Sequence, residues 1–183
     1  MISLVSIMEN GSTTEIGLIG NEGMIGLPVF LGGEFTISRA IVQMSGKSLK
    51  MKSSILVREF KEGGALQKIL LLHTQARLTQ IAQSAACNRQ HKIEARLARW
   101  LLSVYDCVLT NELELTQEFI SNMLGVRRAG VTIAANTLQN RGIIRYNRGR
   151  IVILDHKQLE ETSCECYRVV QDEFMRLLGS RRG

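Results

Sequence analysis

One stretch of the sequence, residues 113–155, limits the possible folds of this chain more than any other. Thr116 is a natural N-cap, so a helix is predicted to begin at this point. Gly125 suits the left-handed turn that ends such a helix, and a second helix is predicted from about Arg127 to Asn140. Two short helices joined by so tight a turn indicate a helix-turn-helix.

The residues after the second helix alternate between apolar and polar side chains. Residues 142–146 and 150–153 are therefore predicted to be two strands, joined by a turn at Asn147-Arg148-Gly149. This hairpin would form a β wing beside the helix-turn-helix. The tip of the wing carries Arg148, with Arg150 next to it.

In a helix-turn-helix the second helix lies in the major groove of DNA, with its first residues at the base edges. Arg128 is predicted to read a base, because a guanidinium group can pair with both O6 and N7 of guanine. The other polar side chains near it are predicted to contact phosphates, which position the protein without reading sequence. The predicted DNA-contacting residues are Thr116, Gln117, Arg127, Arg128, Gly130, Thr132, Asn136, Arg148 and Arg150.

The positive charge of the chain is concentrated in the same region. The net charge is +6 over 183 residues, and residues 116–157 alone carry seven Lys or Arg against two Asp or Glu. A run of charge is usually a solvated face, but a basic cluster on a helix-turn-helix with a wing fits a phosphate backbone. Double-stranded DNA is therefore the predicted partner.

In the sequence before this region, the spacing of the apolar residues changes once along the chain. Residues 1–52, including 21–33, are predicted to be short strands broken by glycine turns such as Asn10-Gly11, as in part of a small β roll. From about residue 65 the apolar period becomes about 3.6, with Arg77 and Gln80 beside the apolar stripe. The a and d positions of a heptad register fall on Leu71, Thr74, Leu78, Ile81 and Ala85. This seam predicts a homodimer, although it could also pack on the strands of its own chain.

A further helix is predicted from Ile93 to Val108, because its apolar residues form one core-facing stripe that includes Trp100. The predicted fold class is α+β. It comprises a partial N-terminal antiparallel β roll of jelly-roll type, a long dimerisation helix and a C-terminal winged helix-turn-helix.

The stretch LTQEFISNMLGVRRAGVTIAANTLQNRGIIRYNRGRIVI resembles the Crp/Fnr superfamily of bacterial transcription regulators, and the resemblance extends over nearly the whole chain. It implies a sequence-specific regulator that binds palindromic operators as a homodimer. RNA polymerase is a further candidate partner. Arg128 matches the base-reading arginine of the family. Ala129 and Ile133 stand where the family has a glutamate and a second arginine, so a different operator is expected.

The resemblance also implies a division of the chain into four parts. Residues 1–60 would be a partial cyclic-nucleotide-binding-like sensor domain, and residues 61–90 the dimerisation helix. Residues 91–157 would be the winged helix-turn-helix, and residues 158–183 a C-terminal helical tail. The family's roll usually begins some tens of residues before the position of Met1, so the first strands of the sensor are expected to be missing.

The effector of the sensor is left unknown by the sequence. Gly26, Ser38 and Arg39 are the candidate effector-binding residues, by resemblance to the cassette that holds the phosphate in cyclic-nucleotide binders. Cyclic AMP is not expected, because Leu27 stands where those proteins have a carboxylate for the ribose. In addition, Ile81 and Ala82 stand at positions of the predicted dimer helix where cyclic-AMP binders have side chains with hydroxyl groups.

The other chemistry-bearing residues form no recognisable site in the sequence. Cys164 and Cys166 are spaced more tightly than ordinary zinc ligands, so inert thiols are predicted, with a redox or metal role as the alternative. The three histidines accompany no recognisable nucleophile or acid pair, so we predict no enzyme, no cofactor and no metal.

Two broader expectations follow from the sequence. No window approaches the length of a membrane span, and the cysteine usage suits a reducing compartment, so a soluble cytoplasmic protein without membrane contact is predicted. The competing functional hypothesis is a protein-interaction module, in which the winged helix docks on another protein and the sensor domain is vestigial.

Overall fold

The computed structural model describes residues 1–33 and 35–179. Its N-terminal part contains a three-stranded antiparallel sheet in the order β2-β1-β3, formed by β1 (Ile2–Ile7), β2 (Thr13–Ile19) and β3 (Arg39–Val42). The hairpin between the first two strands turns at Gly11, where φ is +81°. The predicted partial antiparallel roll is confirmed, reduced to these three strands among the described residues.

Residues 21–33, predicted to be strand, instead contain the short helix α1 (Leu27–Leu31). Gly26 and Gly32 flank it in the left-handed conformation, with φ of +102° and +94°, and Pro28 lies in its first turn. Proline lacks the N–H that a strand ladder needs but is favoured at the start of a helix. The prediction was wrong because a short apolar run does not by its period distinguish strand from helix.

Two helices follow, α2 (Ser53–Glu62) and the long α3 (Ala65–Gln90), whose 26 residues span about 39 Å. Arg77 and Gln80 of α3, predicted to lie beside the apolar stripe of the helix, face the N-terminal sheet of their own chain. Both are buried, because the Arg77 Nη1 donates to the Leu18 carbonyl at 2.7 Å and also to the Gln80 side chain. These hydrogen bonds compensate for the loss of water.

The C-terminal part begins with α4 (Ile93–Val108), whose bounds are those predicted. The helix-turn-helix and its wing are also present. The remaining elements in order are β4 (Glu112–Glu114), α5 (Gln117–Leu124), α6 (Arg128–Asn140), β5 (Ile144–Asn147), β6 (Arg150–Ile153), α7 (His156–Thr162) and α8 (Cys166–Leu178). The unpredicted strand β4 pairs with β6, so the wing is a three-stranded sheet in the order β4-β6-β5.

The main core lies within this C-terminal part and extends into the N-terminal sheet. Trp100 of α4 is buried there, and its Nε1 donates to Glu15 Oε1 of β2 at 3.0 Å. The predicted C-terminal tail is folded back, since Phe174 and Val170 of α8 pack on Ala76 of α3. Residues 180–183 of that predicted tail lie outside the described residues. Within the described residues, no helix is both long and apolar enough to cross a membrane.

The packing of the helix-turn-helix can be tested with a matched pair of isoleucines. Ile120 of α5 is completely buried, whereas Ile133 of α6 is 69% exposed. We expect Ile120→Ala to lower the free energy of unfolding by about 2–5 kcal/mol, because it removes buried methyl groups and leaves a cavity. Ile133→Ala should change it by less than about 0.5 kcal/mol. Urea denaturation of both variants measures this, and equal losses would contradict the packing described.

Candidate nucleic-acid interface

The turn between α5 and α6 is built by local backbone chemistry. The Thr116 hydroxyl accepts a hydrogen bond from the Phe119 N–H at 3.1 Å and so caps the start of α5. Gly125 ends the helix with φ of +62°, and the Val126 N–H then bonds back to the Ser121 carbonyl at 3.0 Å. Three residues therefore separate the two helices, as a helix-turn-helix requires.

Helix α6 has one buried and one exposed face. The buried face packs in the main core and consists of Val131, Ala134, Ala135 and Leu138. On the other face Arg128, Ala129, Ile133 and Asn136 are exposed, and Thr132 is half-buried. The predicted base-reading arginine thus stands in the first turn of α6 on its exposed face.

Gln117, the first residue of α5, connects the two helices across this face. Its Oε1 accepts from the Thr132 hydroxyl at 3.0 Å and from the Arg128 Nε at a longer 3.5 Å. The start of α5 and the first turns of α6 therefore form one continuous polar surface. Gln117 orients Arg128 along that surface but leaves the outer nitrogens of its guanidinium group available for a ligand.

Tyr146 on the wing strand β5 supports the same surface, although it is not among the residues predicted to contact DNA. Burial raises the pKa of the Tyr146 phenol, although a hydrogen bond from the Gln117 backbone and the charge of Arg128 act in the opposite direction. The Tyr146 N–H also donates to Gln139 Oε1 of α6 at 2.7 Å. The only sign of Tyr146 in the sequence is its position in a strand of alternating apolar and polar residues. That position predicts which face of the strand Tyr146 occupies but not its contacts.

The wing is held against the start of α5. The Leu115 N–H donates to the Gly149 carbonyl at 2.7 Å, and a Cβ added to Gly149 would lie 3.4 Å from the Thr116 side chain. Arg148 at the tip adopts a φ of +47° and is exposed. The wing tip and the start of α5 are thus next to each other.

The basic residues of this region differ in their partners. Arg141 forms an ion pair with Glu94 at 3.1 Å, and Arg150 one with Glu114 at 3.4 Å across the β4–β6 pairing. Within residues 1–33 and 35–179, no ion pair involves Arg127, Arg128, Arg145 or Arg148. These last four arginines are also exposed, so they are the charges best placed to meet an external anion.

Gly130, one of the predicted DNA-contacting residues, faces the interior rather than the exposed side of α6. A Cβ at this position would lie 2.8 Å from the Ile93 side chain of α4. Helices α4 and α6 therefore approach each other closely at Gly130. The remaining predicted residues of the set lie on the surface formed by α5, α6 and the wing.

The predicted dimer seam occupies the face of α3 that its own chain leaves uncovered. Leu71, Leu78 and Ile81 are 47%, 63% and 42% exposed, and Ala85 is also exposed. Thr74 is half-buried, and its hydroxyl donates to the Leu70 carbonyl at 2.8 Å. The intrachain packing that the sequence left open as an alternative uses the opposite face of the helix.

The three candidate effector residues lie at the start of α1 and around the start of β3, and none of them lines the cavity described next. Gly26 precedes α1, Arg39 is exposed on β3, and Ser38 shares a hydrogen bond with Thr36 at 2.8 Å on the surface. A cavity of about 250 Å³ instead lies between the loop that follows β2 and the helices α3 and α8. Its lining includes His73, whose pKa is lowered by burial.

Comparisons with known proteins agree with this architecture. Residues 95–162 match the Crp-like helix-turn-helix domain family. No curated protein matches the sequence.

Three solved structures illustrate the likeness over nearly the whole chain. A Crp/Fnr-family transcriptional regulator from Thermus thermophilus is 22% identical, with a TM-score of 0.68 over 88% of this chain and 82% of that one. A protein assigned to the same family from Eubacterium rectale is 20% identical, with a TM-score of 0.64 over 88% and 76%. FixK2 from Bradyrhizobium japonicum is 15% identical, with a TM-score of 0.64 over 89% and 83%. The predicted resemblance to Crp/Fnr regulators and the predicted fold class are confirmed.

Proposed function

We propose that this chain, with its Crp-like helix-turn-helix domain, is a sequence-specific DNA-binding transcription regulator that acts as a homodimer on palindromic operators. The observation that supports it best is the exposed first turn of α6, where Arg128 is oriented by Gln117 beside a basic wing. Arg128 would pair with a guanine in the major groove, and Arg127, Arg148 and Arg150 would contact phosphates.

The same surface suits base reading by apolar contact. Ala129 and Ile133 are exposed one helical turn apart, next to Arg128. Small apolar side chains in the major groove can contact the methyl group of thymine. We therefore propose an operator half-site in which a guanine lies near one or more thymines.

The dimer would be formed by α3. The exposed stripe at Leu71, Leu78 and Ile81 is apolar and has the spacing of a helix-pair seam. A two-fold axis along this seam would present two copies of α6 to successive major grooves. The half-sites would then lie about 34–36 Å apart, or 10–10.5 base pairs centre to centre, in a palindromic operator.

The function is tested by selecting duplexes from a random pool with the purified full chain. We expect enrichment of a palindrome with the stated spacing, and an affinity that falls linearly with the logarithm of salt concentration because counterions are released. Cyclic AMP added to the same binding assay should change nothing. Absence of enrichment, together with salt-insensitive binding to a protein partner, would favour the interaction module instead. An affinity change with cyclic AMP would contradict the proposal that it is not the effector.

A further inference from the structure

Four side chains with metal-binding chemistry meet where the long helix joins the helix-turn-helix domain. Cys87 is in the last turn of α3, and His91 directly follows that helix. Cys164 lies in the link between α7 and α8, and Cys166 is the first residue of α8. One ligand atom from each of the four lies within 4.8 Å of the others. All three cysteines are buried and carry free thiols.

The distances within this cluster are close to those of a tetrahedral metal site. Zinc bonds of about 2.3 Å to sulfur and 2.0–2.1 Å to nitrogen place neighbouring ligand atoms about 3.5–3.8 Å apart. The Sγ atoms of Cys87 and Cys164 are 3.4 Å apart, and Cys166 Sγ is 3.5 Å from His91 Nδ1. Small shifts of side chains already in place would complete the tetrahedron.

The residues around the cluster match the outer partners of a metal site. The Nε2 of His91 is 3.2 Å from Glu165 Oε1, which leaves Nδ1 facing the three thiols. A carboxylate on the far nitrogen is the usual way in which a zinc-bound histidine is oriented. The Gln83 amide donates to Cys166 Sγ at 3.1 Å, a hydrogen bond of the kind that outer partners make to ligand atoms.

Two arginines of α4 supply positive charge near the cluster. Arg96 and Arg99 both interact electrostatically with Cys87. Three thiolates and one Zn²⁺ carry a net charge of minus one, which nearby guanidinium groups stabilise. The environment therefore suits a thiolate-rich metal centre in charge as well as in geometry.

We propose that Cys87, His91, Cys164 and Cys166 bind one Zn²⁺ ion in a closed, structural site. Three soft sulfur ligands and one imidazole select zinc over magnesium or calcium, and four protein ligands leave no open position for catalysis. A disulfide between Cys87 and Cys164 is the competing use of two of these thiols. It would give no role to the third thiol or to the orientation of His91 by Glu165.

From the sequence, Cys164 and Cys166 are predicted to be inert thiols, with a redox or metal role as the alternative, because a single residue separates them. In the fold, however, two further candidate ligands, Cys87 and His91, come from a segment more than 70 positions earlier in the chain. Cys87 and His91 are one helical turn apart, on the side of α3 that faces α8. The tight spacing is therefore no obstacle to a four-ligand site.

The position of the site indicates what the metal would do. His91 lies between α3 and α4, and the Cys164–Cys166 pair stands at the start of α8, which packs along α3. A bound metal would fix the angle between the long helix and the helix-turn-helix domain. Any effect of the metal on DNA affinity rests on the proposed function, whereas metal binding itself does not.

The test uses the full chain purified under reducing conditions without a chelator, and measures metal content by inductively coupled plasma mass spectrometry. We expect about one zinc per chain, and Co²⁺ in its place should give the absorption bands of a tetrahedral thiolate site. Cys166→Ser should weaken Co²⁺ binding more than about 100-fold, since even outer partners of zinc ligands are worth about 10- to 100-fold. Cys107→Ser, which removes the thiol that lies outside the cluster, is the matched control and should bind like wild type.

A second variant covers the case in which Cys166→Ser does not fold. Glu165 is exposed, so Glu165→Gln should leave the fold intact and weaken Co²⁺ binding about 10- to 100-fold. The proposal would be overturned if the folded, reduced wild-type protein contained no zinc, or if its Co²⁺ form lacked the absorption bands of a tetrahedral thiolate site. It would also be overturned by equal losses in Cys107→Ser, iron–sulfur absorption, or a Cys87–Cys164 disulfide found by peptide mapping of the freshly purified protein. None of these outcomes depends on DNA binding.

Discussion

Leu78→Asp is expected to convert the protein from a dimer to a monomer at micromolar concentration. Leu78 is 63% exposed on the single chain, so the substitution should not disturb the packing of its own subunit. In a dimer built on the α3 seam, however, the new carboxylate would be buried without a partner, at a cost of several kcal/mol per chain. Sedimentation equilibrium measures the change directly.

The control for this variant is Leu109→Asp. Leu109 follows α4, is 70% exposed and lies outside α3, so a charge there should leave the dimer intact. The circular dichroism of both variants should equal that of wild type. If Leu78→Asp remains dimeric, α3 does not form the interface, and its exposed apolar stripe must meet some other surface.

The helix-turn-helix could be predicted from the sequence because local chemistry specifies it. The Thr116 cap and the left-handed Gly125 each act on backbone groups only a few residues away. The bounds of α4 follow in the same way from one regular apolar stripe. Features of this kind need no knowledge of the rest of the fold.

The errors occurred where distant parts of the chain decide the outcome. Nothing in the sequence indicates that Arg77 is buried, because the Leu18 carbonyl that compensates for its burial is far away in the chain. Strand β4 is only three residues long and has two glutamates, so it carries no strand signal until β6 pairs with it. The cysteine cluster was missed for the same reason, since its two halves meet only in the folded chain.

For the candidate DNA-binding surface, the sequence predicted the residue types but not the hydrogen bonds and ion pairs between them. Alternation and charge indicated Arg128 and the wing, whereas the role of Gln117 depends on how α5 crosses α6. The ion pair between Arg150 and Glu114 was likewise invisible without the pairing of β4 with β6. It makes Arg150 a poorer probe of phosphate binding than Arg148, because its charge is already partly compensated.

Arg128→Ala and Arg148→Asn should therefore weaken DNA binding in different ways. Arg128→Ala is expected to cost about 1–3 kcal/mol per half-site on the selected operator, roughly twice that for the dimer, and little on random DNA. The reason is that a guanidinium pairing with a guanine edge contributes only where the right base is present. Alanine is a good helix former, so α6 itself should be unaffected.

Arg148→Asn should instead weaken binding to operator and random DNA by similar factors. Asparagine tolerates the left-handed conformation that Arg148 adopts, with φ of +47°, so the wing turn is kept while the charge is removed. Each lost phosphate contact should reduce the salt slope by about 0.9, or about 1.8 for a dimer. Affinities measured over a salt series on both duplexes separate the two roles. Equal losses on both DNAs for Arg128→Ala, with a reduced salt slope, would show that Arg128 only anchors the backbone and that other α6 residues read the sequence.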